Sequence, residues 1–282
     1  MPDISLVTFL AIYPGTILVE LTEAKGSTPR EAGTFMLVAQ NAIWGTIGGG
    51  QFEYMAIDNA QAMIAGGGKA VMDIPLGPEI GQCCGGRARL SFRPVTADTA
   101  ATLELRLRQE DEARPEVFLF GCGHVGLALA TALAPLPFAV TVVETRAEAL
   151  EDLSSEVGRR LTAMPEACVS DIPAGGAALI LTHDHALDFL IAEQALARAD
   201  LAYVGMIGSA TKRATFAHWL DRQNGGSGTA TAMMERLVLP VGGSTVRDKR
   251  PAVIAALIAA ELLQTVTPVL RKIPSERHVS GG

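Results

Sequence analysis

The stretch from Val117 to Glu144 limits most tightly what this chain can fold into. An apolar run, Val117-Phe118-Leu119-Phe120, leads into Gly121-Cys122-Gly123-His124-Val125-Gly126. An Ala/Leu-rich segment follows to Ala134, and a second apolar run, Phe138 to Val143, ends on Glu144. The order is strand, glycine turn, helix, strand, acid. In spacing of the G-x-G-x-x-G type each glycine has its own role. Gly121 makes the tight turn, Gly123 lets a pyrophosphate approach the backbone, and Gly126 lets helix and strand lie close. The helix start directs free amides and the positive end of its dipole toward bound phosphate. Glu144 stands where a carboxylate accepts a hydrogen bond from a ribose 2′-OH. The plainer explanations are a solvated strand end for Glu144 and a scaffold without nucleotide for the whole unit.

The alternation continues downstream. Ala177 to Thr182 is an unbroken apolar run, as in a parallel strand buried on both faces. A helix is predicted over Ala186–Ala199, a strand over Ala202–Ile207, and a helix from Gly208-Ser209 through Trp219. A last strand is predicted over Leu237–Gly242, and Pro251 opens a helix to Gln264. Arg146–Gly158 reads as polar connection, Val169–Pro173 as irregular, and Gly225–Gly228 as the end of a region. These features predict a Rossmann-like, doubly wound parallel-sheet domain over 115–282 with a flexible tail.

The preceding part has a different grammar. Strands are predicted over Thr16–Thr22, Thr34–Val38, Ile43–Ile47, Ala70–Ile74 and Arg87–Phe92. Leu6–Ala11 fits a short helix or the lead into a strand. One longer helix, Gln51–Ala65, places Phe52, Met55, Ala56, Asn59 and Met63 at helical spacing and stops at Gly66-Gly67-Gly68. This is an α+β domain over 1–97. Thr96-Ala97-Asp98 caps a helix running to Glu112, and Arg114-Pro115 ends a connecting segment assigned to 98–114.

Bulk properties narrow the functions. A net charge of −7 argues against an extended nucleic-acid footprint. Every long apolar run is cut by Gly, Pro or charge, so no membrane span is expected, and Met1-Pro2-Asp3 lacks the basic start of a signal peptide. A cytoplasmic protein is expected, with Cys83, Cys84, Cys122 and Cys168 as free thiols.

Three glycine-rich loops crowd the first domain: Gly26-Ser27-Thr28-Pro29-Arg30, Gly48-Gly49-Gly50 before a helix, and Gly81-Gln82-Cys83-Cys84-Gly85-Gly86. Backbone amides of such loops hold anions, and Arg30 can add a bidentate contact to phosphate. Any one loop is also explained by a tight turn. The Cys83-Cys84 pair is not a zinc pattern, but one thiolate suits a soft metal or the transfer of sulfur. In the second domain Thr182-His183-Asp184-His185 lies at a strand's carboxyl end, where open α/β sheets bind ligands. His183 and His185 with Asp184 or Asp188 suit a metal or acid–base work; Asp184 as a helix cap beside solvated histidines is the alternative. Ser209 and Lys212, at another helix start, suit an anion, and Lys212 and Arg213 are otherwise plain exposed cations. Cys122 and Cys168 read as structural.

Taken together these loops resemble the XdhC/CoxI family, the accessory proteins of molybdenum hydroxylases such as xanthine dehydrogenase. The likeness rests on Gly26–Arg30, on Gly45-Thr46-Ile47-Gly48-Gly49-Gly50 with Glu53, and on Gly81–Gly86. In the second domain it rests on Phe120–Gly126, on Thr182–His185 with Asp188, and on Tyr203–Ser209 with Lys212-Arg213. The resemblance implies an N-terminal XdhC/CoxI domain joined to a C-terminal Rossmann domain. It implies a homodimeric carrier that is not itself an enzyme and that binds molybdenum cofactor (molybdopterin). Such a carrier supports the cofactor's sulfuration by a cysteine desulfurase and delivers it to the molybdenum subunit of apo-xanthine dehydrogenase. It places the family's thiol at Cys83 or Cys84. Near the C-terminus the chain departs from the family, with the basic stretch Arg247-Asp248-Lys249-Arg250 before Pro251 in place of an acidic turn. Two other readings stand beside this one. One is an NAD-dependent oxidoreductase using the Rossmann domain with His183 or His185 as the acid–base group. The other is an adaptor bridging an enzyme and a sulfur donor.

Overall fold

A computed structural model describes residues 4–78, 85–223 and 229–266. Cys83 and Cys84, the Gly225–Gly228 tract and the C-terminal tail lie outside the described residues. The chain divides into two compact units, Met1–Glu110 and Asp111–Gly282.

In the first unit helix α1 (Leu6–Ile12) precedes strands β1 (Ile17–Lys25), β2 (Phe35–Val38) and β3 (Ile43–Gly45). Helix α2 (Gly50–Ile64), strands β4 (Val71–Leu76) and β5 (Gly86–Pro94) and helix α3 (Ala97–Glu112) follow. The ambiguous start is thus a helix, capped by the Ser5 hydroxyl, which accepts from the Thr8 N–H at 3.2 Å. All strand pairs are antiparallel, in the order β3-β2-β1-β5-β4. β1 is central, so alternate side chains are buried on opposite faces. Ile17, Val19 and Leu21 share a core with Phe52, Ala56 and Ala60 of α2. Leu18 and Leu37 pack on the other side with Leu6 and Phe9 of α1 and Leu103 of α3. Each such fully buried large side chain contributes about 1.5–3 kcal/mol. This packing changes the expectation for 98–114: α3 is a layer of the first unit more than a linker, because Leu103 is buried against its sheet.

The second unit contains β6 (Glu116–Phe120), α4 (His124–Leu133), β7 (Ala139–Glu144), β8 (Gly158–Leu161) and β9 (Ala177–Ile180). It continues with α5 (His185–Ala197), β10 (Tyr203–Met206), α6 (Ala210–Gln223), α7 (Thr229–Arg236), β11 (Leu237–Val238) and α8 (Pro251–Thr265). Its strands are parallel, in the order β11-β10-β9-β6-β7-β8. The chain enters mid-sheet, winds outward through β7 and β8, returns to β9 beside β6, and winds outward the other way. Helices cover both faces, as the sequence predicts. Leu129 and Leu133 of α4 and Ile258 and Leu262 of α8 pack with Val117, Leu119 and Leu179. Ile191, Leu196, Phe216 and Leu220 pack with Phe118, Phe120, Ile180 and Met206 on the opposite face.

Four local expectations change. β8, at the end of what reads as polar connection, has no predicted counterpart: its four residues are all exposed, so no apolar alternation marks it. Pro165–Asp171 forms a 3-10 turn that takes in the first part of the stretch predicted as irregular, Val169–Asp171. α7 follows the glycine tract as an additional helix. The last strand is only Leu237–Val238, because Pro240 has no N–H for a ladder. Among the described residues no helix is long and apolar enough to cross a membrane.

Candidate functional site

The Gly26–Arg30 loop of the first unit touches both the Gly48 turn and the described end, Gly85-Gly86, of the third glycine stretch. Gly48 has φ +130°, and a Cβ on it would stand 2.7 Å from the Pro29 Cβ, so the Gly26–Arg30 loop lies directly on the turn between β3 and α2. Gly86 sits where a Cβ would stand 2.1 Å from the Ser27 carbonyl oxygen, and Ser27 and Gly85 form an isolated bridge. The Gly85 N–H donates to the Leu76 carbonyl at 2.8 Å, which closes the root of the loop carrying Cys83 and Cys84.

Glu53 holds the middle loop. It lies in the first turn of α2, and its Oε2 accepts from the Thr46 hydroxyl, from Ile47 N–H at 2.9 Å and from Gly49 N–H at 3.2 Å. Burial alone would raise the carboxyl's pKa, but these donors together lower it. Of the amides expected to receive an external anion, that of Gly49 is therefore bonded to an internal one, and that of Gly48 donates to the Thr46 hydroxyl at 3.1 Å. Arg30 is exposed and has no ion-pair partner among the described residues. A Cβ added at Gly49 or Gly85 would meet nothing within 4 Å among the described residues.

In the second unit the glycine turn ends β6. Gly121 has φ +109°, and a Cβ there would lie 2.9 Å from the Leu181 backbone. At Gly126 it would lie 2.2 Å from the Gly121 carbonyl oxygen, the close approach predicted for the third glycine. Gly123 is approached by a side chain of the protein: a Cβ there would stand 2.6 Å from His183 Nε2. The His183 ring thus lies against the turn.

Glu144 is buried, and both its oxygens are engaged. Oε2 accepts from Cys122 N–H at 2.9 Å, while Oε1 accepts from Thr145 N–H at 2.8 Å and from Thr145 Oγ1 at 3.1 Å. Arg146 Nη2 donates to Oε2 at 3.1 Å. Burial would raise the pKa, but the Arg146 guanidinium and the Cys122 and Thr145 amides overcome it and lower it to about 2. The acid placed by sequence at a ribose hydroxyl lines the cavity there, yet its first partners are the turn and Arg146. A cavity of about 280 Å³ is lined by Gly121, Gly123, Glu144, Arg146, Thr182 and His183, at the carboxyl ends of β6, β7 and β9. The strand order reverses there, which is where open parallel sheets bind ligands.

The histidine motif divides its work. Asp184 caps α5, its Oδ1 accepting from Ala186 N–H at 2.8 Å and Leu187 N–H at 3.4 Å. Asp188 is fully buried; its Oδ1 accepts from the Thr182 hydroxyl at 2.6 Å and its Oδ2 pairs with Lys212 Nζ. His183 and His185 are exposed, and among the described residues no three His, Cys, Asp or Glu side chains are grouped to hold a metal. Lys212 is not the plain exposed cation of the alternative reading: its side chain is 8% exposed. Ser209 lies at the start of α6, its hydroxyl accepting from Lys212 N–H at 3.4 Å. Cys122 and Cys168 are buried free thiols whose pKa burial raises, in keeping with a structural role.

Sequence reasoning missed the holding roles of Glu53 and Arg146 and the Asp188–Lys212 pair. A Glu in the first turn after a glycine-rich helix start is the signal for the first. An acid followed two residues later by Arg146 is a weak signal for the second, and nothing local signals a pair separated by a strand.

Known proteins show the same organisation. Residues 117–262 match the family model described as the XdhC Rossmann domain, and residues 15–75 match that of the XdhC and CoxI family. The uncharacterized protein YqeB of Escherichia coli (strain K12) is 27% identical over 256 residues, which is 88% of this chain but 43% of YqeB. The chain therefore spans less than half the length of that curated relative. A crystal structure described as a xanthine dehydrogenase from Bacillus halodurans has a TM-score of 0.76 at 16% identity, covering 96% of this chain and 97% of that one. At that identity the likeness is one of fold. The Rossmann match alone covers more than half of the residues, and the second match falls in the other unit in the predicted order: the chain belongs to the XdhC/CoxI family.

Proposed function

We propose that this chain is a molybdenum-cofactor carrier. In this reading it binds the cofactor, supports sulfuration by a cysteine desulfurase and delivers the product to the molybdenum subunit of apo-xanthine dehydrogenase. The carrying observation is the convergence of the Gly26–Arg30 loop, the Thr46–Gly50 turn and the Gly85-Gly86 root of the cysteine loop at one end of the first unit's sheet.

The residues present suit the cargo. Arg30 offers an exposed guanidinium to the phosphate of the pterin, and the missing side chains of Gly49 and Gly85 leave room for the cargo. Cys83 or Cys84 offers the thiolate that suits a soft metal or its sulfur. When bound, the cofactor supplies the metal centre used by the recipient enzyme; this chain holds it and catalyses no net turnover. A cytoplasmic homodimer is the setting this reading expects. The test is purification from a host that makes the cofactor. Molybdenum and pterin are expected to copurify in near-equal amounts and to fall sharply in Cys83→Ala or Cys84→Ala. Full retention in both single variants would sink the thiol role.

One observation favours a second reading, that of an NAD-dependent oxidoreductase: the cavity at the reversal of strand order has the glycine turn and Glu144 in its wall. Calorimetry with NAD and NADP tests it. Heat with NAD and less with NADP is expected, because Glu144 opposes a 2′-phosphate. No heat at millimolar ligand reduces this unit to a scaffold.

A further inference from the structure

A second cavity, of about 320 Å³, opens on the other side of His183 and is lined by Thr182, His183, His185, Gly208, Ser209 and Lys212. Lys212 gives it its character. An ammonium group has three N–H donors. Two are used, on Asp188 Oδ2 and on the Ile207 carbonyl at 3.0 Å. The third has no acceptor among the described residues, although the side chain is only 8% exposed and lines the cavity. Burying a cation beside a cavity is costly unless it is paired, and Asp188 supplies the pairing while turning neither oxygen outward: one holds Thr182 and the other Lys212. The backbone is shaped around this side chain. A Cβ on Gly208 would stand 2.7 Å from Lys212 Cδ, so glycine is needed for the lysine stem to lie across the end of β10.

We propose that this cavity binds a phosphomonoester. The donors around it are the third Lys212 N–H, the Ser209 hydroxyl and the imidazoles of His183 and His185, and α6 brings its positive end to Ser209. A carboxylate's two oxygens can also accept from four donors, but a phosphomonoester adds a third free oxygen and, as a dianion, a second negative charge for the Lys212 ammonium and the positive end of α6 to stabilise. The remaining volume accommodates the organic group of the ester. Asp188, paired and buried, does not repel the dianion. The proposal concerns the second unit alone and stands whether or not the first unit carries molybdenum cofactor.

The test is calorimetry of the full chain in phosphate-free buffer with inorganic phosphate, phenyl phosphate and benzoate. Phenyl phosphate is expected to bind, inorganic phosphate more weakly, and benzoate weaker than phenyl phosphate by roughly tenfold or more. Ser209→Ala, at an exposed position, is expected to weaken phenyl phosphate several-fold. Lys212→Gln combined with Asp188→Asn, which removes the pair without stranding a charge, is expected to weaken it by roughly tenfold to a hundredfold. Circular dichroism checks the fold of each variant, and Ser209→Ala keeps the test decisive should the double variant not fold. The proposal is overturned if the folded wild type binds no phosphate, if benzoate binds as well as phenyl phosphate, or if Ser209→Ala leaves binding unchanged. None of these outcomes depends on Cys83 or Cys84, so the carrier reading fails or survives separately.

Discussion

Both units place a glycine-rich turn before a helix, and both tie it down with a glutamate, one from the helix itself and the other from a neighbouring strand. In the first unit Glu53 reaches back from the first turn of α2 to the amides of Gly49 and Ile47, just upstream of it. In the second, Glu144 reaches from the end of a neighbouring strand to Cys122, 22 residues earlier in the chain. Glu53 makes a local cap; Glu144 makes a tertiary clasp that also holds Arg146. The common element is chemical. Turns that expose several amides attract an anion, and here the chain supplies that anion itself. A ligand phosphate must therefore find other donors in each unit. In the first the exposed Arg30 offers them; in the second, the open donors belong to Lys212, Ser209 and the histidines. The difference lies in range: the local cap depends only on the run from Ile47 to Glu53, while the clasp requires β6 and β7 to be paired first.

The strongest way to separate the units is through their close backbone approaches. Gly86→Ala would push a Cβ into the Ser27 carbonyl, and Gly126→Ala into the Gly121 carbonyl. Backbone cannot yield as a side-chain end can, so each change should cost about 3 kcal/mol or more. Each unit has one tryptophan, Trp44 in the first and Trp219 in the second. In denaturant titrations Gly86→Ala should lower the midpoint reported by Trp44, and Gly126→Ala that reported by Trp219. Equal shifts at both tryptophans for either variant would show that the two units unfold as one, and the comparison would collapse.

The same contrast explains how much was legible beforehand. Parallel and antiparallel sheets were distinguishable because β6, β9 and β10 are short apolar runs after which helices begin, whereas β5 alternates. The exposed edge strand β8 was not, since an edge of Gly158-Arg159-Arg160-Leu161 has no buried face to pattern. Spacing put Glu144 at the correct cavity but could not give its rotamer, and the rotamer decides whether its oxygens face a ribose or Cys122. Asp184 and Asp188 are indistinguishable as metal ligands in sequence. Only the fold makes the first a helix cap and brings Lys212, from beyond another strand, to the second.

A smaller effect tests the two glutamates directly. Glu144→Gln turns an amide toward donors that need an acceptor and leaves Arg146 without its anion, at an expected cost of about 2–3 kcal/mol. Glu53→Gln, at a more exposed site with no cationic partner, should cost about 1 kcal/mol.

The pH dependence is the finest form of the comparison. Glu144 has its folded pKa lowered from 4.5 to about 2, so the unfolded chain binds this proton more readily than the native one. The resulting stabilisation is fully present above pH 4.5 and is lost as the pH falls toward 2. The full shift would be worth about 3 kcal/mol, and the nearness of solvent around Arg146 reduces that to about 1–2 kcal/mol. Glu53 is lowered in the same direction, without a cation to hold it, so its contribution has the same sign and is smaller. Stability followed through Trp219 should therefore fall on acidification more steeply in the wild type than in Glu144→Gln, and the two curves should converge as the pH approaches 2. Followed through Trp44, Glu53→Gln should flatten the curve less. If Glu144→Gln leaves the acid slope at Trp219 unchanged, the carboxylate is not a clasp, and its oxygens are free for a ligand after all.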